Sequence, residues 1–162
     1  MFDRRTMLAG GAASIVTGAM LFGGSRATHA QEGRFQVTMT EAQWRKKLSP
    51  AQFAVLREEE TERPGSSPLN KEKRKGTFLC AACDLPLFSS ATKFESGTGW
   101  PSFWQPLRNA VGTRKDNKLM FARTEVHCRR CGSHIGHVFD DGPKPTGLRY
   151  CMNGLAMKFR AS

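Results

Sequence analysis

The residues of this chain best suited to chemistry are its five cysteines, and their spacing divides them four and one. Cys80-Ala81-Ala82-Cys83 and Cys128-Arg129-Arg130-Cys131 are two CxxC pairs. A tetrahedral zinc ion takes four soft donors, and two CxxC turns can deliver them in pairs from two hairpins. Gly132 follows the second pair, as a tight turn beside a metal requires. Two local disulfides, a redox-active pair or unmetallated buried thiols would fit the same spacing. A thioredoxin-type pair opens a helix within a βαβ unit, and neither flank has that pattern. A structural site for one Zn2+ per chain, held by Cys80, Cys83, Cys128 and Cys131, is therefore expected.

Cys151 is the cysteine left over. It lies in the strand-like run Arg149-Tyr150-Cys151-Met152-Asn153, where period two puts Arg149 on the same face. A nearby cation favours thiolate, the nucleophilic form, although an isolated cysteine is more often buried and inert. Just after the second CxxC comes Ser133-His134-Ile135-Gly136-His137-Val138-Phe139-Asp140-Asp141-Gly142-Pro143. His134 and His137 are three apart, so a regular strand cannot show both on one face, and a turn at Gly136 is expected to bring them together. Two imidazoles, a carboxylate and a thiol suffice for acid catalysis beside a nucleophile, or for a second metal site. Upstream, Ser96-Gly97-Thr98-Gly99-Trp100-Pro101-Ser102-Phe103 reads as a glycine-rich turn presenting an indole, a suitable wall for a methyl group or sulfur atom.

These groups must be positioned by a small domain. The chain has 162 residues, which allows one domain with a tail. Its 16 Gly lack a triplet period and its 11 Phe and 3 Trp need burying, which excludes collagen, coiled coil and disorder. Two short helices are expected to open the fold. One follows Thr40; the other starts at Ser49-Pro50-Ala51-Gln52, with an N-cap, an N1 proline and a capping-box Gln. Phe53, Val55 and Leu56 can face a core. Short strands are then expected at 77–80, from Leu119 to Val126 after an Asp116-Asn117 turn, at 149–153 and at 157–159. The fold class is mainly β with an N-terminal helical flank.

Residues 1–30 read as an export signal and residues 31–162 as the domain. Arg4 and Arg5 precede an uncharged run to Gly24, and Thr28-His29-Ala30 offers a cleavage point, a pattern resembling a twin-arginine leader. Periplasmic localisation is expected, without stable membrane insertion after cleavage. The full chain carries a formal charge of +11. Its densest basic run, Lys71 to Lys75, has no aromatic interleaving for base stacking, so nucleic acid is not an expected partner.

Five motifs together resemble the B-class methionine (R)-sulfoxide reductases, over about residues 38–160. They are Gly99-Trp100-Pro101-Ser102-Phe103, the two CxxC pairs, His134-x-x-His137-Val138-Phe139, Asp141-Gly142-Pro143, and Arg149-Tyr150-Cys151-x-Asn153. The resemblance implies a β-tent of two antiparallel sheets, with zinc at the CxxC pairs away from the active site. It makes Cys151 the nucleophile that becomes a sulfenic acid. It assigns His134, His137 and Asn153 to the sulfoxide oxygen, with His137 the proton donor, and Trp100 and Phe103 to the substrate side. Asp141 and Arg149 would tune the site. The implied substrates are oxidised proteins or peptides. Many relatives carry a resolving cysteine where this chain has Thr98, which implies a one-Cys enzyme that relies on an external thiol or a thioredoxin-like reductant. Relatives usually have Ser where this chain has Gly154. A monomer is the expectation at this size. A zinc-stabilised basic binding module, or an enzyme with a second metal at His134, His137 and Asp141, are the alternative readings.

Overall fold

The structure, a computed structural model, describes residues 35–118 and 122–162. The expected leader and Leu119, Met120 and Phe121 of one expected strand lie outside the described residues. No helix among the described residues is long and apolar enough to cross a membrane.

Both helices form where their caps place them. α1 (Glu41–Lys47) and α2 (Pro50–Glu58) each begin with a reciprocal capping box, Thr40 with Gln43 and Ser49 with Gln52. The caps satisfy amide donors that a short helix leaves open. Trp44, Phe53, Val55 and Leu56 face inward and are buried. α2 ends at Glu59 in the left-handed region, φ 61°.

Among the described residues nine strands follow: β1 (Gly76–Cys80), β2 (Pro86–Ser89), β3 (Lys93–Phe94), β4 (Ser102–Phe103), β5 (Val111–Asp116), β6 (Arg123–Cys128), β7 (His134–Phe139), β8 (Arg149–Met152) and β9 (Met157–Ala161). They form a three-stranded sheet, β2-β1-β9, and a six-stranded sheet, β3-β4-β8-β7-β6-β5. All pairings are antiparallel, so the two expected sheets are present. Phe78 of β1, Phe88 of β2 and Phe103 of β4 meet between the sheets, with Phe88 stacked on Phe103 at a centroid distance of 4.4 Å. Ile135, Val126 and Met152 extend this core beneath the larger sheet.

The expected turn at Gly136 is replaced by a strand with a bulge. In the β6–β7 register His127 faces His134 while the adjacent Val126 faces Gly136, so Ile135 is an extra residue. One extra residue resets the alternation of side chains, and positions three apart then share a face. The rings of His134 and His137 lie 5.2 Å apart, edge to face. Gly136 is required for close approach instead: a Cβ there would stand 2.2 Å from the Cys151 carbonyl oxygen.

Candidate active site

Successive register pairs align Arg114, Glu125, His137, Cys151 and Ser102 in one row across β5, β6, β7, β8 and β4. Paired residues in neighbouring strands share a face, so the row puts the Cys151 thiol between an imidazole and a hydroxyl. Two residues along, on the same face, Asp116 pairs with Arg123 and Phe139 with Arg149. Over these rows lies a cavity of 110 Å³ lined by Thr61, Trp100, Arg123, His137, Phe139, Cys151 and Asn153. Of the residues singled out from sequence, the fold thus brings Trp100, His137, Cys151 and Asn153 together.

Each wall is tied down. Trp100 Nε1 donates to the Glu62 carbonyl at 3.0 Å. Asn153 is buried; its Oδ1 accepts from the Glu62 amide at 3.0 Å and its Nδ2 donates to the Ile135 carbonyl at 3.1 Å. His137 Nε2 lies 2.8 Å from Asp116 Oδ2, which also accepts from Arg123 at 2.8 Å. The Lys118 amide, His137 and Arg123 hold the Asp116 carboxyl well below the usual range. An ionised carboxylate can only accept, so the proton of that bond belongs to His137 Nε2, and Nδ1 is left for the cavity. Burial pushes His137 below the ordinary histidine value, against a smaller opposing pull from Asp116. The ring is therefore neutral at pH 7, with a lone pair on Nδ1.

Arg149 reaches the cavity rim from the Cys151 face of β8. It binds Asp141 through two bonds of 2.8 and 2.7 Å and stacks 4.4 Å over the Phe139 ring. Asp141 is exposed, and its side chain is paired with Arg149. Thr98, at the position of the expected missing cysteine, has its Oγ1 3.7 Å from Cys151 Sγ.

Two expected site residues lie elsewhere. Phe103 is fully buried in the aromatic core. Its neighbour Ser102 is the register partner of Cys151, and alternation turns Phe103 to the opposite face, so it is no wall of the cavity. His134 stands behind His137 and lines a separate cavity of 240 Å³ together with Arg57, Glu59 and Arg114. Its Nδ1 is 2.9 Å from Glu125 Oε1, both side chains being 2% exposed. Burial raises the Glu125 carboxyl, but His134 and Arg114 outweigh it and hold the group below its ordinary value. Glu125 thus fixes His134, whose ring edge supports His137. Asp116, Glu125, Glu62 and Arg123 escaped the sequence reading. Asp116 looked like a turn residue, and only the hairpin register puts it opposite Arg123 and beside His137.

The four remaining cysteines converge away from the cavity. Their sulfur atoms all lie within 4.8 Å of one another, with Cys80 to Cys131 at 3.8 Å and Cys83 to Cys128 at 3.5 Å. Four thiolates at the usual zinc–sulfur bond length would stand about 3.8 Å apart, so the donor set fits a tetrahedral ion. Gly132 takes φ 69° at the end of the second knuckle. This is the one group of three or more potential ligands among the described residues; His134, His137 and Asp141 do not form another.

Residues 48–161 match the SelR domain family. The chain is 49% identical over 127 residues to "Peptide methionine sulfoxide reductase MsrB" of Leptospira interrogans, covering 78% of this chain and 97% of that protein. A protein of the same name from Agrobacterium fabrum is 50% identical over 125 residues, covering 76% and 93%. One from Methanosarcina barkeri is 52% identical over 125 residues, covering 76% and 88%.

Proposed function

The chain belongs to the SelR-domain family of peptide methionine sulfoxide reductases, and from that premise we propose that it reduces the R epimer of peptide-bound methionine sulfoxide through a sulfenic acid on Cys151. The observation that carries the assignment of roles is the register pairing of Cys151 with His137 inside one cavity. His137 Nδ1 takes the Cys151 proton and leaves a thiolate. The thiolate sulfur attacks the sulfoxide sulfur, and the imidazolium returns the proton to the departing oxygen, which needs protonation to be displaced. Methionine leaves with its sulfur reduced by two electrons. As the transient bond between the two sulfurs breaks, the hydroxyl passes from the substrate sulfur to the cysteine sulfur, which is oxidised to Cys–S–OH. Two external thiols then restore the thiol, giving a disulfide and water.

Trp100 bounds the methyl side of the substrate, and Asn153 presents its amide toward the oxygen. Asp116 keeps the His137 ring in the tautomer that can receive a proton, and Asp141 holds the Arg149 guanidinium on the Cys151 face of β8. The chain has no sixth cysteine, and the other four are gathered at the knuckles, which supports a one-Cys enzyme using an external reductant. Cys80, Cys83, Cys128 and Cys131 would hold Zn2+, which supplies a cross-link between the β1–β2 and β6–β7 hairpins and no chemistry at the cavity. Arg4 and Arg5 with the apolar run behind them support export to the periplasm, where a route carrying folded protein would let the ion load before the thiols meet oxidant.

The test is dithiothreitol-driven consumption of the two epimers of a peptide methionine sulfoxide. Loss of the R epimer alone, abolished in Cys151→Ser, is expected. Equal consumption of both epimers, or activity that survives Cys151→Ser, would overturn the reading.

A further inference from the structure

Beside Cys151 runs a chain of hydroxyls that the proton transfer does not use. Thr98 Oγ1 is 3.7 Å from Cys151 Sγ and 2.8 Å from Ser96 Oγ, and Ser96 Oγ is 2.7 Å from Ser102 Oγ. Ser102 Oγ donates to the Trp100 carbonyl at 3.1 Å. The loop carrying these groups is anchored, because the Gly99 carbonyl accepts from the Gly65 amide at 2.7 Å and from Asn70 Nδ2 at 2.8 Å. Ser102 is fully buried, so bulk water does not complete the chain.

One proton per hydroxyl fixes the direction. Ser102 has given its hydrogen to Trp100, so it accepts from Ser96. Ser96 has then given its own and accepts from Thr98, as it also does from the Thr98 amide at 3.4 Å. Thr98 in turn accepts from the Cys151 thiol. When Cys151 is a thiolate the sequence can reverse: Thr98 donates to sulfur, Ser96 to Thr98 and Ser102 to Ser96. Trp100 then loses one neutral bond while the thiolate gains a charge-assisted one, roughly twice as strong. A hydroxyl is the side-chain group that can make both exchanges; an ammonium only donates and a carboxylate only accepts.

We infer that Thr98 is a further catalytic residue, contacting the reacting sulfur, and that Ser96 and Ser102 position it through a hydroxyl chain that reverses as Cys151 passes between thiol, thiolate and sulfenic acid. The inference rests on Cys151 being the nucleophile of the reaction proposed above. It gives position 98 a task in a one-Cys enzyme: where a thiol would consume the sulfenic acid, a hydroxyl hydrogen-bonds it until the external reductant arrives. No proton leaves the chain, since a carbonyl ends it, so the net proton balance of the reaction is unchanged.

The experiment is single turnover of a peptide methionine (R)-sulfoxide by the reduced, metal-containing whole chain without reductant. It follows methionine formation and, after set delays, dimedone labelling of Cys151. Thr98→Val, which keeps the shape and removes the hydroxyl, should slow methionine formation about tenfold, the equivalent of one hydrogen bond at the reacting sulfur. It should also shorten the interval over which dimedone finds sulfenic acid. Thr98→Ser should restore both to within about twofold, and Ser96→Ala should fall between. A Thr98→Val protein with unchanged rate and labelling would overturn the inference while leaving the reductase reading intact. So would a defect that Thr98→Ser shares, because that would be loss of shape and not of the hydroxyl. A wild-type protein that forms methionine but never labels at Cys151 would overturn both.

Discussion

Glu62 joins the helical flank to the strand end behind the nucleophile, and removing its carboxylate tests how the cavity is held. Oε1 accepts from the Gly154 amide at 2.6 Å and Oε2 from the Leu155 amide at 2.9 Å, at the start of the short 3-10 turn Gly154–Ala156. Its backbone serves the two walls, donating to Asn153 and accepting from Trp100. The residue is 7% exposed, so water does not compete for the carboxylate. Hydrogen bonds to a charged group contribute about 1.5–3 kcal/mol each, and amides left unsatisfied in a buried site cost a similar amount. Glu62→Ala removes two such bonds, while a groove lined by Glu62, Gly154 and Leu155 would let water reach the amides once the side chain is gone, so a loss of about 3 kcal/mol is expected. Glu62→Gln keeps one acceptor and turns an NH2 toward the second amide, for a loss of about 2 kcal/mol. In urea, with a slope of about 2 kcal/mol per molar, the midpoint should fall by about 1.5 M in the alanine variant. Glu60→Ala, exposed on the same segment, serves as the control and should stay within about 0.5 kcal/mol of wild type. A Glu62→Ala midpoint shift no larger than that of the control would mean that the carboxylate does not bind the turn.

Three other outcomes follow from the same geometry. Asp116→Asn removes the group that opposes the burial of His137, so the His137 ring resonances should titrate at lower pH and turnover should fall about tenfold to a hundredfold; an unmoved titration would break the Asp116–His137 link. Burial also lowers His127, so the unfolded chain takes up protons at these two histidines before the folded one does, and stability should decline as pH falls below about 6.5; urea midpoints flat between pH 7 and 5 would contradict this. Removing the metal should lower the melting temperature, and cobalt added back should show thiolate charge-transfer bands that are lost in Cys131→Ser; an unchanged melting curve would deny the cluster a structural role.

The sequence made the chemistry more legible than the architecture. Cap residues announce α1 and α2 because capping is local, and Thr40 and Ser49 meet their partners three residues away. CxxC pairs announce the knuckles for the same reason. The Leu119–Val126 reading found the hairpin but not its bounds: β6 starts at Arg123 and runs on to Cys128. β3 and β4, of two residues each, leave no periodicity to detect. The places of His134 and Phe103 outside the cavity were not legible, because their motifs say which residues cluster in sequence, whereas their direction depends on pairing with other strands. The same dependence hid Glu125, a carboxylate at a buried position of β6 that becomes intelligible once β7 lies beside it.

Gly154 shows how such a departure is absorbed. A Cβ at this position would stand 1.9 Å from Ser67 Oγ and 2.4 Å from Ser67 Cβ, so the space a larger residue would take is already occupied by Ser67. Packing thus fixes the backbone behind Asn153, with Glu62 binding the Gly154 amide from the other side. Gly154→Ala alone should destabilise by about 1–3 kcal/mol through overpacking. Adding Ser67→Gly removes both opposing atoms, though it also removes the bond that Ser67 Oγ accepts from the Leu69 amide. The double variant should therefore recover most of the loss, short of the roughly 1 kcal/mol that bond contributes. Because the two residues touch, a double-mutant cycle should give a coupling of about 1 kcal/mol or more. Strict additivity of the two substitutions in urea unfolding would show that Ser67 does not fill the site, and the departure at Gly154 would again need another explanation.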